Sequence, residues 1–467
     1  MTTVRAPLWT SFDAAVATGG KTSGRWVARG VSIDTRTLEP GDLFVALTGE
    51  NRDGHEFAAE ALKKGAAAAL VSRQPPGVLD DSPLLMVNDT QAGLEGLGRA
   101  ARARSKARIV AVTGSAGKTT TKEMLRLILA RSGAVAASAA SYNNHWGVPL
   151  SLARMPLESA FGVFEIGMNH AGEIRSLVKF VRPHVAVVTT IAPAHLEHFG
   201  TVEAIADAKA EIFEGIEPGG TAILPAENPH FDRLMAHAKA SGVSNILAFG
   251  KSTSADARLL SATTQGDGQN VLATIGKMRL AFSVSAAGGH IAMNAIAALL
   301  AARELGADVA RGADELADFA ALKGRGARFL AGGLEVIDES YNANPASMAA
   351  AIELLAKAEP KRGGRRIAAL GDMRELGPDS ASLHKALARN LAAARADLVF
   401  LCGLNMRALW SALPAKTRGH YAETSSELAP EMMRTLKAGD VVLVKGSFGS
   451  RMSVVIDALR AREAATA

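Results

Sequence analysis

The chain is poor in cysteine, aromatics, long apolar runs and blocks of like charge. Of its 467 residues one is cysteine, 5% are aromatic and three are tyrosine. A single thiol excludes an intrachain disulfide framework. That thiol, Cys402, sits in the apolar run LVFLCG and reads as a buried strand residue. No stretch of about 18 apolar residues without charge occurs, so no membrane-spanning helix is expected. The opening MTTVRAPLWTSFDAAVATGG lacks the apolar region of a secretory leader. Lysine and arginine form no block, and the net charge is only +6. With so few aromatics this excess argues against nucleic acid and suits an anionic small substrate equally well. We therefore expect a soluble, cytoplasmic chain that binds neither nucleic acid nor membrane. What is abundant is apolar residue, 48% against 21% charged, enough to bury sizeable cores. The length predicts about three domains.

The most informative segment is RIVAVTGSAGKTTTKEML, residues 108–125. Ile109, Val110, Ala111 and Val112 read as a buried strand. After Thr113 comes a glycine-rich turn, Gly114, Ser115, Ala116 and Gly117, and Lys118, Thr119 and Thr120 open a helical pattern. A strand, a tight glycine turn and a helix N-terminus in that order make a cradle for phosphate. The amides donate to phosphate oxygens, Lys118 adds a point charge, and Thr119 can offer a hydroxyl to Mg²⁺. Val112 stands where the common G-x-x-x-x-G-K-[ST] loop has its first glycine, so this is the compact form T-G-x-x-G-K-T-T. The competing reading is a glycine-rich turn with a surface lysine, against which strand, turn and helix signals agree.

Three units are expected along the chain. Residues 1–107 alternate short strands with a helix (GHEFAAEALKKGAA) and leave by a basic helix, LEGLGRAARARSKAR. Residues 108–325 carry the phosphate loop and the apolar strands FGVFEIG, VAVVTTI and TAILPAE, with helices between. That is the pattern of a mostly parallel sheet covered on both faces, whose ligands gather beyond the carboxyl ends of the strands. STSADARLLSATTQGDGQNVLATIGKMRLAF reads as an inserted hairpin. At 326–467 the pattern restarts with LEVIDES, RRIAALGD, DLVFLCG and VVLVKGS, a second open α/β unit, and GRGAR (324–328) is a candidate hinge.

At the strand ends stand the candidate chemical groups. Glu165 closes an apolar strand; it is either structurally paired or a ligand for Mg²⁺, which takes one or two carboxylates beside phosphate oxygens. His195 follows the next strand in IAPAHLEHFG, as a turn residue or a site residue, and His198 is a weaker candidate. In TVEAIADAKAEIFEGI, read as one helix, Val202, Ile205, Ala206, Ile212, Phe213 and Ile216 form a stripe. Lys209 falls inside it; Asp207, Glu211 and Glu214 fall on the other side. A core-facing lysine is costly unless paired, neutral or modified. It either snorkels to a rim partner or is a neutral amine that takes up CO₂ as a carbamate and so becomes an anionic metal ligand. Asn143, Asn144 and His145 in SYNNHWGVPLSL, and Asn169 and His170 in GMNHAGEI, are either caps or substrate contacts. Asn294 lies four residues after His290 on one helix face and offers the donor and acceptor needed to read adenine. Tyr341, Asn342 and Asn344 of DESYNANPASM would face the crevice, with Pro345 near a helix start.

These segments, in this order, resemble the Mur ligases, ATP-dependent enzymes that add amino acids to the nucleotide precursor of peptidoglycan. TGSAGKTTT, NNHWGVPLSL, EIGMNHAGEI, IAPAHLEHFG and AKAEIF match the middle of those enzymes. SYNANPASM, LGDMRELG and KGS resemble the member that joins D-alanyl-D-alanine to UDP-N-acetylmuramoyl-tripeptide, and SIDTR, PGDLFVAL and DGHEF fit as well. The resemblance implies an α/β protein of three domains: a mixed N-terminal UDP-sugar domain, a central phosphate-loop ATPase on a mostly parallel sheet, and a C-terminal Rossmann-like domain. ATP would phosphorylate the tripeptide carboxylate, and the dipeptide amine would attack the acyl phosphate. Lys118 and the loop amides would stabilise the phosphoryl group. Thr119 and Glu165 would hold one Mg²⁺, and His195 with a carbamylated Lys209 a second. Asn294 would meet adenine. Arg328 and Asp338 would meet the phosphate or ribose side; Glu339 stands where the family often has Asp, which leaves open which carboxylate touches ATP. Thr35, often Ser in the family, and Asp53, Gly54 and His55 would lie along the uridine diphosphate. Asn143, Asn144 and His170 would touch substrate, and Tyr341, Asn342 and Asn344 would line the dipeptide site. A monomer is expected. Two rivals are another member of this group or a folylpolyglutamate synthase, which should lack SYNANP, and a regulatory NTPase. The latter gives no role to Lys209 or to the second α/β unit.

Overall fold

A computed structural model describes residues 7–49, 51–139 and 141–466. Three larger sheets organise it. The first runs Lys21–Thr22, Leu84–Met86, Ala68–Val71, Asp42–Val45, Gly30–Ser32; its first pairing is antiparallel and the others are parallel. A helix not foreseen from sequence, Ser11–Thr18, packs beside it, capped by the Thr10 hydroxyl on the Asp13 amide.

The middle sheet has nine strands. Its parallel part runs Val135–Ala137, Phe161–Glu165, Arg108–Thr113, Val185–Val188, Thr221–Pro225, Asn245–Gly250. The expected hairpin is present, and it extends the same sheet. Ala257–Gln265 adds parallel to Asn245–Gly250, and Gly268–Ile275 and Met278–Val284 follow antiparallel. The central strands read as continuous apolar runs because both faces are covered. One face packs Val110, Val112 and Val187 against Leu125 and Ile128 of the helix Lys118–Ala130 and Ile296 of the helix Gly289–Glu304. The other packs Ile109, Ala111 and Phe164 against Ile174, Ile205 and Leu234. Full burial of each such aliphatic side chain contributes about 1.5–3 kcal/mol.

The last sheet runs Ala327–Ala331, Leu334–Glu339, Val441–Lys445, Arg366–Gly371, Leu398–Cys402, Arg418–Ala422, antiparallel at its first pairing and parallel after it. Its two faces carry separate cores. Cys402 is buried there, and burial pushes its thiol up to about 12. The architecture is thus α/β with mostly parallel sheets. Among the described residues no helix is long and apolar enough to cross a membrane.

One expected helix is shorter than its stripe implied. It spans Val202–Ala210 and tightens into a 3₁₀ turn at Glu211–Gly215. Glu211, expected on the solvent side, turns inward instead and is 5% exposed. Its carboxylate accepts from the amides of Gly172 (2.7 Å) and Arg175 (3.0 Å) at the start of the helix Glu173–Val181. Those amides have no partner within their own helix, which is what draws the carboxylate in.

Candidate active site

The strand Arg108–Thr113 ends at Gly114, whose φ of 147° no side chain favours, and the chain folds back at Gly117 (φ 84°) to start the helix at Lys118. A methyl on Gly114 would collide with the Thr189 hydroxyl. That hydroxyl donates to the carbonyls of Thr113 and Ala116. Ser115 is pinned too: its amide donates to Thr190 O (2.8 Å) and its hydroxyl to Ala192 O (2.9 Å). The loop is therefore held rigidly by the neighbouring strand end. Lys118 Nζ donates to Gly114 O at 2.8 Å, and burial in the cleft lowers its pKa.

Behind the loop, Thr119 Oγ1 donates to Glu165 Oε2 (2.8 Å), and Asn143 Nδ2 donates to Glu165 Oε1 (2.8 Å). Glu165 is 1% exposed, and both its oxygens are oriented. Asn143 is itself wedged against Gly167, whose amide donates to Asn143 O at 2.9 Å. These hard oxygen donors beside a phosphate cradle are the set that Mg²⁺ prefers.

Lys209 is buried at 1% exposure and faces the same cleft. Burial first, and the charge of Lys118 second, push its pKa well below the ordinary lysine value. His195 also lines the cleft, with a left-handed backbone (φ 59°), and its Nδ1 lies 2.5 Å from Glu375 Oε2 of the last unit. The contact holds the Glu375 carboxyl below its usual range. Asn294 is 7% exposed, with its carboxamide against Gly117, where a methyl would lie 2.8 Å from its Oδ1.

Opposite stand groups of the last unit. Asn344 caps the helix Pro345–Lys357 through Ser347 N (2.9 Å) and also donates from Nδ2 to Ser115 O (3.1 Å), tying the two units together. Lys445 is 2% exposed; its Nζ donates to Asn342 O (2.9 Å) and Glu339 Oε2 (3.3 Å). The cleft has a volume of about 650 Å³ and is lined from both units.

Several expected site residues are not in this cleft. Arg328 lies in the strand Ala327–Ala331 and pairs with Glu335 (3.0 Å) and Asp267 (3.6 Å). The arginine that lines the cleft is Arg325, unmarked in the sequence reading; it lies over the Tyr341 ring at 4.1 Å and donates to Ser141 Oγ at 3.1 Å. Asp338 is fully buried and accepts from Ser340 N, Ser340 Oγ and Gly324 N, so it shapes the loop that presents Arg325. Glu339 is the carboxylate on the cleft. Asn144 caps a turn on Gly147 N at 2.9 Å. Exposed His170 sits on Glu173 (3.1 Å) and against the His198 ring (4.8 Å). Asn169, by contrast, lines the cleft and caps no helix; its backbone amide donates to Glu173 Oε2.

Thr35, Asp53, Gly54 and His55 belong to the first unit, in the connections of its sheet, outside this cleft. His55 is fully buried, with Nδ1 2.6 Å from Asp53 Oδ1 and Nε2 accepting from Ser72 N. Both ring nitrogens are spent on structure. Asp53 also receives Arg73, while Thr35 O accepts from Lys64 at 3.0 Å.

Three family models match successive parts of the chain: the Mur ligase family, catalytic domain, at residues 27–126; the Mur ligase middle domain at 112–302; and the Mur ligase, glutamate ligase domain, at 324–448. The chain is 34% identical over 450 residues to the UDP-N-acetylmuramoyl-tripeptide–D-alanyl-D-alanine ligase of Rickettsia prowazekii (strain Madrid E), covering 96% of this chain and 99% of that one. It is 35% identical over 433 residues to the enzyme of the same name from Escherichia coli (strain K12), covering 92% and 93%. The crystal structure of MurF from Acinetobacter baumannii superposes with a TM-score of 0.85 at 31% identity, covering 98% and 99%. MurF ligase from Thermotoga maritima in complex with ADP gives 0.78 at 27%, covering 94% and 99%. With the compact phosphate loop, the Glu165 constellation and the facing α/β unit in one cleft, these likenesses place the chain: it belongs to the Mur ligase family.

Proposed function

We propose that the protein joins D-alanyl-D-alanine to UDP-N-acetylmuramoyl-tripeptide at the expense of ATP, through an acyl phosphate, in the cytoplasmic synthesis of peptidoglycan precursor, and that it acts as a monomer. The observation that carries this reading is the joint cleft. The phosphate loop, Lys118, Thr119 and Glu165 come from one unit, and Arg325, Tyr341, Asn342 and Lys445 line the space beyond it. A nucleotide on the loop points its terminal phosphate toward that space.

Lys118 and the loop amides hold the transferring phosphoryl group as its charge spreads. Thr119 and Glu165 would hold a Mg²⁺, which when bound neutralises phosphate charge. His195 and Lys209, the latter as a carbamate formed when its neutral amine adds CO₂ and loses a proton, would orient a second. Asn294, which stands against the loop at Gly117, would meet adenine. Tyr341, Asn342 and Asn344 would line the acceptor side, where the dipeptide amine attacks the acyl carbon and phosphate leaves. Closure of the two units keeps the acyl phosphate from water. Thr35 and the Asp53–His55 turn lie in the first unit, where the family resemblance puts the uridine diphosphate.

The test is product formation. Phosphate release is expected to require ATP, the UDP-tripeptide and D-alanyl-D-alanine together, with one new amide per phosphate. Release that ignores either peptide substrate overturns the ligase reading and favours a regulatory NTPase.

A further inference from the structure

His195 and Glu375 share an unusual circumstance. Both are non-glycine residues with left-handed backbones, φ 59° and 63°, and their side chains meet between the middle and last units at 2.5 Å. L residues rarely adopt that conformation, and where they do the surrounding structure must enforce it. The enforcement is visible on both sides. Glu375 O accepts from Glu197 N at 3.1 Å, joining the two backbones. Gly377 packs beside the same segment, where a methyl would stand in ordinary contact with Glu197 Cα at 3.4 Å.

The loop bearing Glu375 is also stiff. Met373 N donates to the buried His384 Nε2 (2.9 Å), whose Nδ1 lies 2.7 Å from Ser380 O. Arg374 N donates to Ser447 Oγ (2.9 Å) and its guanidinium to Gly449 O (3.0 Å). Asp372 accepts from Met406 N (2.9 Å). These bonds fix the backbone from which the Glu375 side chain projects. Its Oε2 stands 2.5 Å from Nδ1 of His195, a residue that lines the cleft beside Lys209 and Glu165.

We propose that Glu375 is a positioning residue: seating of the last unit places its carboxylate on His195 Nδ1, fixes that ring in the cleft, and so makes closure and completion of the reacting site one event. A second group that locks an imidazole through its far nitrogen is a recurrent way of orienting a ligand or catalytic ring. The inference rests on the ligase reading above, and it assigns Glu375 no contact with substrate.

The experiment is a double-mutant cycle in the full chain, with kcat and the KM for ATP measured by varying ATP at saturating UDP-tripeptide and dipeptide. Glu375 is 44% exposed at its side chain, so truncation leaves no buried hole. Glu375→Ala is expected to lower kcat about 10- to 100-fold with little change in KM for ATP. Glu375→Gln, which keeps a carbonyl oxygen to accept from Nδ1–H, is expected to regain most of the loss. In a His195→Ala background, Glu375→Ala should change kcat by less than about twofold, because the residue it acts through is gone. Losses that multiply in the double variant, a Glu375→Ala enzyme with full kcat, or a glutamine variant as poor as the alanine one would each overturn the proposal. Wild-type protein that makes the amide while the cycle proves additive sinks this inference alone; wild-type protein that makes none sinks the ligase reading.

Discussion

Lys209 shows how much a single side chain can decide. It is buried, no carboxylate pairs with it among the described residues, and desolvation holds its amine toward the neutral form. A group kept at such cost is retained for chemistry or is a structural burden, and two substitutions separate the cases. Lys209→Ala is expected to lower kcat on the order of 100-fold, with acetate or formate restoring part of it by supplying the missing carboxylate. Lys209→Met should be at least as inactive yet melt no lower than wild type, since it removes a buried amine and keeps the bulk. Unchanged activity in both removes Lys209 from the mechanism. Asp440 is the opposite kind of residue. Burial pushes its carboxyl up, but hydrogen bonds from Arg365 and the amides of Lys437 and Arg365 outweigh this and hold it low. A depressed carboxyl stabilises the fold above its unfolded value, near 4, and loses that contribution as pH falls through the folded one. Asp440→Asn should therefore cost about 3 kcal/mol at pH 7 in urea unfolding, a gap that narrows below about pH 4; a pH-independent gap refutes the assignment. Legibility at this scale follows local pattern. The loop, Thr119, Glu165 and Lys209 were readable because strand, turn and helix periods point them one way. Arg325 against Arg328, and Glu339 against Asp338, were not. Which of two similar neighbours reaches a cleft depends on the pairing of Arg328 with Ile337 across the strands, and no spacing in the chain announces that.

The helix Pro345–Lys357 carries two duties at its N-cap. Asn344 Oδ1 takes the Ser347 amide in a capping box, and its Nδ2 reaches Ser115 O in the phosphate loop. Charge and hydrogen-bond geometry let the two be split. Asn344→Asp keeps the acceptor and suits the helix dipole, so the melting temperature should hold while kcat falls, because a carboxylate facing Ser115 O cannot donate. Asn344→Ala should lose both, costing about 1 kcal/mol of stability as well. If the Asp variant is fully active, the link between cap and loop carries no function. The start of this helix was legible from Asn344 and Pro345. The end of the helix at Ala210 was not, because a long-range demand, the bare amides of Gly172 and Arg175, recruits Glu211. The hairpin at 257–284 was legible as a hairpin. Its parallel seat beside Asn245–Gly250 was not, since an edge partner leaves no periodicity in the strand that receives it.

At the scale of the whole molecule, the three sheets are not equally self-sufficient. The last unit closes its own two cores, one on each face of its sheet. The first does not. Leu150 and Ala153, from the helix Gly147–Ala153 beyond the expected boundary at 107, sit in the core built by Trp9, Val31, Leu43 and Leu97. Trp9 Nε1 donates to Ala153 O at 2.9 Å, and Arg154 Nε donates to Val31 O. Arg102 reaches back to the carbonyls of Val181 (2.8 Å) and Arg182 (2.7 Å). The restart of the strand pattern near 326 was readable because a new sheet needs new apolar runs. The loan of one helix to a neighbour's core was not, because its apolar residues read the same whichever core they fill. The asymmetry has a consequence. A fragment of residues 320–467 should fold alone and melt cooperatively, with dispersed amide resonances. A fragment of residues 1–107 should not, since it exposes the apolar face that Leu150 and Ala153 cover and leaves the Trp9 indole and the Arg102 guanidinium without their partners. Extending that fragment to residue 155 adds the missing helix but strands Arg102, so it should gain helicity without reaching the stability it has in the full chain. A cooperative, monomeric 1–107 would mean that the shared core is dispensable, and that the first and middle units are as separable as the middle and the last. The expected pattern instead leaves one weakly joined seam, at 320–326, and that seam borders the cleft where Asn344 meets Ser115 and Glu375 meets His195. Motion between units is then concentrated where the chemistry needs it.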